Sequence, residues 1–277
     1  MKRDLSKFRI IGESQAMLEL ADRVYAAAEH WDAVLLTGER GTGKELLARA
    51  IHRLGPAKGG KFVVVDCASL HPATAESSLF GHERGSFTGA VKRHIGFLES
   101  AHEGSAFLDE VSSLPLDLQG CFLRFLEEGS FTRVGAAKAI QTQTRVVAAS
   151  NRDMKRDIAA GRFLPDLFDR LNVLRIETPP LRRREDDILL LFRHFMNPGG
   201  AERLTKEAAE FLLHYPFPGN VRELKNLCRR LSVFHAKGEI TPEMLKCNLD
   251  HGSERESPLP IVLAGKECYK KPQKIPR

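Results

Sequence analysis

At 277 residues the chain has room for one large domain, or for one of about 200 residues with a small companion. Hydrophobic content of 42% and charged content of 28% fit a globular protein; no apolar run nears the ~18 residues of a membrane span, and the first ten residues, MKRDLSKFRI, lack the apolar stretch of a secretion signal. Five cysteines without a C-x-x-C pair argue against a disulfide framework or zinc site, and a net charge of +6 is too mild to declare an anionic partner, so a cytosolic protein with reduced thiols is expected.

Five short apolar runs recur along the first two thirds: AVLLT (33–37), FVVVD (62–66), SAFLD (105–109), RVVAA (145–149) and VLRIE (173–177). Near-continuous aliphatic runs of this length read as parallel strands buried on both faces. Helical patterns such as Glu45–Leu54 and Leu116–Glu128 lie between them, which predicts an α/β fold, doubly wound around a mostly parallel five-stranded sheet.

The first run leads into GERGTGKE, Gly38 to Glu45. Gly38, Gly41 and Gly43 let backbone N–H groups of Gly38, Glu39, Arg40, Gly41, Thr42 and Gly43 face phosphates. Lys44 would reach the β/γ-phosphates, and a helix beginning there turns its positive end to the anion. Glu45 stands where the general motif carries Ser or Thr for magnesium. The third run ends in Asp109 and Glu110, a pair suited to holding Mg²⁺ through water and to polarising an attacking water. The fourth ends in Ser150 and Asn151 at the same sheet edge, where open α/β sheets bind ligands; a helix cap would serve equally well there.

Between the second and third runs lies GHERGSFTGA. Phe87 sits there among small, loop-forming residues, and neither a helix face nor strand alternation accounts for burying it. After TPPLRRRED (178–186) only helical periodicity remains: Asp187–Met196, Thr205–His214, Val221–His235 and Thr241–Cys247. The expected division is an extension (1–8), an α/β nucleotide domain (9–178), a small all-helical lid (179–247) and a basic, disordered tail (248–277). Residues 251–277 hold six Lys/Arg against three Asp/Glu, so much of the net charge lies there.

Taken together, GERGTGKELLA, LFGHERGSFTGA, FLDEV, DRLNV, TPPLRRREDDI and FPGNVRELKN resemble the AAA+ domain of bacterial enhancer-binding proteins, the activators of sigma-54 RNA polymerase. In that family a glutamate after the lysine is usual. The resemblance implies ATP and Mg²⁺ as cofactors, a ring (a homo-hexamer or a mixed ring with a homologous activator), and sigma-54 holoenzyme as partner. It makes Gly85, Ser86, Phe87, Thr88, Gly89 and Ala90 the sigma-54-contacting loop, with Ser86 for the usual alanine. It makes Asp109 and Glu110 the magnesium and catalytic pair, Asn151 a sensor, and Arg222 the lid arginine reaching the nucleotide. Ile10, Ile11 and Gly12 would cradle adenine; Glu99 and Arg133 would couple the site to the moving loop. Arg170 would act on the neighbouring subunit's ATP.

Two further positions depart from the family pattern. Leu164 replaces the first of two paired arginines; Arg162 lies two residues earlier, but Pro165 restricts the local backbone. Asp66 stands where the family has an asparagine restraining the catalytic glutamate, and a carboxylate facing Glu110 would repel it. The family's C-terminal helix-turn-helix finds no counterpart in the short, proline-broken 248–277, so specific DNA binding by this chain is not expected. A weakly hydrolysing nucleotide-binding partner of a fuller activator is the alternative to an active ATPase.

Overall fold

The computed structural model describes residues 4–196 and 200–249. Five strands form the central sheet: β1 Val34–Thr37, β2 Phe62–Asp66, β3 Ser105–Asp109, β4 Arg145–Ser150 and β5 Leu174–Glu177. Their spatial order is β2-β3-β4-β1-β5, and every pairing is parallel. The inner strands β1, β3 and β4 are buried along nearly their whole length. The outer two are not: Val64 of β2 is exposed and so are alternate residues of β5. The expectation of burial on both faces thus fails at β2 and β5, the two edge strands of the sheet.

Helices α1 (Gln15–Ala28) and α2 (Lys44–Leu54) cover one face of the sheet. In α2, Lys44, Leu47, Ala48 and Ile51 are buried at the i, i+3, i+4, i+7 spacing of one helix stripe. Leu47 and Ile51 sit against Val34, Leu36, Phe107 and Val147, each such side chain gaining roughly 1.5–3 kcal/mol from leaving water. The other face is covered by α3 (Pro72–Phe80), α4 (Phe97–Ser100), α5 (Leu116–Glu128), α6 (Met154–Ala159) and α7 (Pro165–Leu171).

Arg145 opens β4 fully buried, and its guanidinium donates to the carbonyls of Ala27 and Ala28 at 2.6 and 3.1 Å and of Ile51 at 3.4 Å. A cation thereby closes the negative ends of α1 and α2 together. Burial brings its pKa down to about 10. The glycine-rich loop runs into the other end of α2, at Lys44.

Two small antiparallel hairpins stand off the sheet. One joins Gly81–His82 to His94–Ile95 and carries the GSFTGA segment; the other joins Ser130–Thr132 to Ala139–Gln141. Beyond β5 a separate core of Leu181, Ile188, Phe192, Leu212, Phe217 and Leu227 is built by α8 (Asp187–Phe195), α9 (Lys206–His214), α10 (Asn220–Phe234) and α11 (Pro242–Asn248). The expected basic tail lies outside the described residues from Asp250 onward.

Candidate nucleotide site and partner loop

The glycine-rich loop leaves the carboxyl end of β1 with Gly38, Gly41 and Gly43 at φ of 145°, 78° and 96°. These are conformations that side-chain-bearing residues rarely adopt. A Cβ on Gly43 would meet nothing within 4 Å, so the mouth of the loop is open to an incoming group. The loop is braced internally. Lys44 Nζ donates to the carbonyls of Gly38 (2.9 Å) and Glu39 (3.1 Å), and Thr42 Oγ1 donates to Glu39 O (2.9 Å). Lys44 is buried, which pulls its pKa down, against the opposing pull of Glu110 and Asp109; the charges of Arg222 and Arg40 lower it further. Lys44, Arg40 and Arg222 therefore share one basin with the two acids. Glu45 faces outward and pairs with Arg49 at 2.7 Å.

Asp109 ends β3. Burial raises its pKa, with Lys44 pulling the other way. Glu110 follows in the left-handed region at φ 52°, and its backbone N–H donates to Asp109 Oδ1 at 3.1 Å. Its own Oε2 accepts the backbone N–H of Asn151 at 3.3 Å, joining the ends of β3 and β4. Asp66 lies beside Asp109 in register, is exposed, and accepts the Ala68 N–H at 3.0 Å. Its charge bears on Asp109, whose pKa it helps to raise. Asn151, Gly38 and Glu39 border a cleft of about 420 Å³ beside the loop.

The lid closes over the loop through contacts that sequence reasoning missed. Arg222 N donates to Gly41 O at 3.3 Å, bringing α10 onto the glycine loop. The neighbouring Glu223 is not its ion-pair partner: Glu223 accepts from Tyr215 Oη at 3.0 Å and from Gly219 N at 2.8 Å. Asn220, fully buried at φ 54°, donates to Glu39 Oε2 and to Arg40 O, both at 3.0 Å. Arg182 pairs with Glu39 at 2.6 and 2.8 Å. First Arg182 and then Asn220 hold the Glu39 carboxyl down at about 2. The one hint in the sequence was the turn YPFPGN, which puts an asparagine where a left-handed residue is needed.

The N-terminal segment is held likewise. Asp187 accepts from Glu13 N (2.6 Å), Ser14 N (3.0 Å) and Ser14 Oγ (2.8 Å), and Arg184 donates to Ile11 O at 2.5 Å. Ile10 packs on the α/β core and Ile11 on the lid core, so the pair bridges the two. A Cβ on Gly12 would come within 2.7 Å of Asp187 Oδ2.

Phe87 is 44% exposed and rests edge-on against His82, ring centroids 5.0 Å apart. Gly85 N donates to Ala90 O and Ala90 N to Phe87 O, closing the loop on itself. Thr88 and Gly89 form its exposed tip. Ser86 packs against Gly135 of the second hairpin: a Cβ on Gly135 would lie 2.5 Å from that of Ser86. Beneath the loop, Arg133 pairs with Glu99 and Glu83, each at 2.6 Å.

Arg170 is apart from all of this. It is exposed on α7 and borders a hollow lined by Trp31, Ala33, Val146 and Val173, at the amino ends of β1, β4 and β5. Leu164 packs on the core, and its N–H donates to Gln119 Oε1 at 2.8 Å. Arg162 is paired with the buried Asp157 at 2.6 Å.

A parallel five-stranded sheet, a glycine-rich phosphate loop with its lysine, an acidic pair two strands away across β4 and a helical lid define a P-loop nucleoside triphosphatase of the AAA+ class. The comparisons narrow this. Residues 10–177 match the Sigma-54 interaction domain family and residues 182–260 the AAA+ ATPase lid domain family. The DNA-binding transcriptional regulator NtrC of Rhizobium meliloti (strain 1021) is 44% identical over 246 residues, 87% of this chain and 51% of that protein. The Nif-specific regulatory protein of Azospirillum brasilense is 43% identical, again over 87% of this chain, and 39% of that protein. Crystalline NtrX from Brucella abortus in complex with ATP superposes with a TM-score of 0.78 at 32% identity, covering 88% of this chain and 57% of that one. The chain belongs to the Sigma-54 interaction domain family; it spans about half the length of the NtrC relatives it matches.

Proposed function

We propose that this chain binds and hydrolyses ATP with Mg²⁺ and uses the cycle to drive the Phe87 loop against sigma-54 in RNA polymerase. The observation that carries this reading is the joining of two sites in one body. The phosphate loop with Lys44, Asp109 and Glu110 lies at one end of the sheet, and a glycine-flanked loop presents one half-exposed aromatic on the same domain. An anion-seeking loop and an aromatic anchor for a protein partner suit an energy-driven remodeller.

The residues fit the implied groups. Three glycines in the left-handed region, an open approach at Gly43 and the converging cations Lys44, Arg40 and Arg222 suit a triphosphate. Asp109 offers the hard oxygen donor that would hold magnesium through water, and magnesium when bound supplies positive charge to the phosphate oxygens. Glu110 takes the water's proton at its carboxylate; its grip on the Asn151 N–H keeps that carboxylate tied to β4. Ile10 and Ile11 give the adenine an apolar seat between the two cores. Arg170 completes a neighbour's site in a ring, and the protein works in the cytoplasm. No helix among the described residues is long and apolar enough to cross a membrane.

The test is Phe87→Ala in a transcription assay with purified sigma-54 holoenzyme. ATP turnover within about twofold of wild type with loss of open-complex formation is the expected result. Open complexes formed at the wild-type rate would end the loop assignment.

A second reading has one observation in its favour. Leu164 packs against the core, Arg162 is held by Asp157, and the exposed Arg170 donates to the Leu126 carbonyl at 3.5 Å. An arginine finger contributes about 10³–10⁵ in related phosphoryl transfer. On this reading the chain binds nucleotide, hydrolyses it slowly and joins the ring of another activator. Turnover per subunit that stays near zero at all protein concentrations, with ATP bound, would select it.

A further inference from the structure

One residue of the phosphate loop is gripped from both sides, at its backbone carbonyl and at its carboxylate. The Glu39 backbone carbonyl accepts from Lys44 Nζ (3.1 Å), the cation expected to meet phosphates, and from Thr42 Oγ1 (2.9 Å), which braces the loop. Its carboxylate reaches the other way, into the lid. Arg182 engages both oxygens at 2.6 and 2.8 Å, and Asn220 Nδ2 donates to Oε2 at 3.0 Å. Asn220 is itself locked, since its Oδ1 accepts from Leu181 N at 2.8 Å and its Nδ2 also serves Arg40 O.

We infer that Glu39 is a positioning residue that couples the lid to Lys44 and Thr42. The lid cannot rotate on the sheet without either breaking the Arg182 fork or dragging Glu39. If Glu39 moves, the carbonyl that seats Lys44 and Thr42 moves with it. Lid position and the seating of Lys44 within the loop are then one variable rather than two. An ordinary surface ion pair would contribute little, and Arg182 and Glu39 are 44% and 41% exposed. What separates this contact is its geometry: a planar two-pronged pair with a third donor from a fully buried asparagine, whose backbone is confined to φ 54°.

The inference rests on the ATPase reading, and its test separates the two. Glu39→Gln, Arg182→Gln and the double variant are compared with the wild-type chain. Hydrogen exchange without nucleotide is followed at the amides of Leu181 and Arg222, the first bonded to Asn220 and the second to Gly41. Exchange there should quicken about tenfold in each single variant. Turnover should fall by about tenfold in kcat with KM within about threefold, because seating changes more than binding. The double variant should lose much less than the product of the two singles, since the Arg182 fork is lost once and only the Asn220 donor remains to be weakened separately. Glu39→Asp, which keeps the charge, should recover part of the rate. Should Glu39→Gln fail to fold, Arg182→Gln, outside the loop, carries the same comparison. Unchanged exchange in a folded single variant, or losses that multiply in the double, would overturn the coupling. A wild-type chain without turnover would count against the ATPase reading, while the exchange comparison would still decide whether Glu39 holds the lid.

Discussion

Asp109 carries an energetic cost that its proposed role explains. Its carboxyl is pushed up from the ordinary aspartate value, first by burial and also by Asp66 and Glu45, with Lys44 only partly compensating. The folded protein thus holds the Asp109 proton more tightly than the unfolded chain does. Ionised Asp109 lowers stability once the pH exceeds its raised folded value, and the cost disappears below the unfolded value. At pH 7.5 Asp109→Asn should raise the melting temperature. About 1 kcal/mol is worth roughly 2–4 °C in a chain of this size, and the half-exposed carboxyl argues for the lower end. The same variant should lose magnesium-dependent hydrolysis by about 10²-fold or more. A scanning melt without nucleotide and a turnover assay check both halves. A lower melting temperature would show that Asp109 is satisfied in the fold rather than held there for a ligand. Asp66 adds to this strain: it lies beside Asp109 in register, and its carboxylate accepts the Ala68 N–H.

The glycine loop shows how one element serves two masters. Gly41 and Gly43 both lie at positive φ, so alanine costs backbone energy at either, about 1–2 kcal/mol. The space around them differs. A Cβ on Gly41 would fall 2.3 Å from Gly219 O, against the lid, whereas one on Gly43 would meet nothing. Gly41→Ala should therefore lower the melting temperature by several degrees more than Gly43→Ala, since Gly219 is backbone and must give way. Gly43→Ala should keep the fold and weaken ATP affinity, by about tenfold or more, because its methyl stands where phosphate approaches the backbone. Melting curves and equilibrium binding of a fluorescent ATP analogue separate the two; equal effects in both assays would refute the division. The glycines were readable in the sequence, and so were the five strands, whose aliphatic runs match β2 and β3 residue for residue. The hairpins at Gly81–His82 and Ser130–Thr132 were not, since two or three residues cannot show a period of two. Nor was the Glu39–Asn220 contact, which joins residues 181 apart through a left-handed backbone that only the folded turn requires. Local pattern reveals elements; contacts between distant turns emerge only when the elements pack.

Across the whole molecule, the position of Arg170 bears on the proposed ring. Lys44 follows the carboxyl end of β1, while Arg170 borders a hollow with Ala33, at that strand's amino end. Four strand residues span about 13 Å, farther than an arginine side chain extends, so Arg170 cannot serve the nucleotide of its own subunit. A head-to-tail contact between copies would bring it to a neighbour's site, the heterologous geometry that closes into rings. This gives a mixing prediction. Lys44→Ala should have no turnover because its own loop is disabled, and Arg170→Ala none because it disables its neighbour's. Mixed in equal amounts, they should recover activity. In random rings about a quarter of sites would pair an intact Lys44 with a neighbour's intact Arg170, so turnover should return to roughly a quarter of wild type if a single finger suffices. Turnover measured against mixing ratio should peak at equal amounts and fall to zero at either end. A mixture that stays inactive at every ratio, with both variants folded and co-assembled, would mean that Arg170 does not complete a shared site; Leu164 would then mark a ring subunit that cannot fire its neighbours.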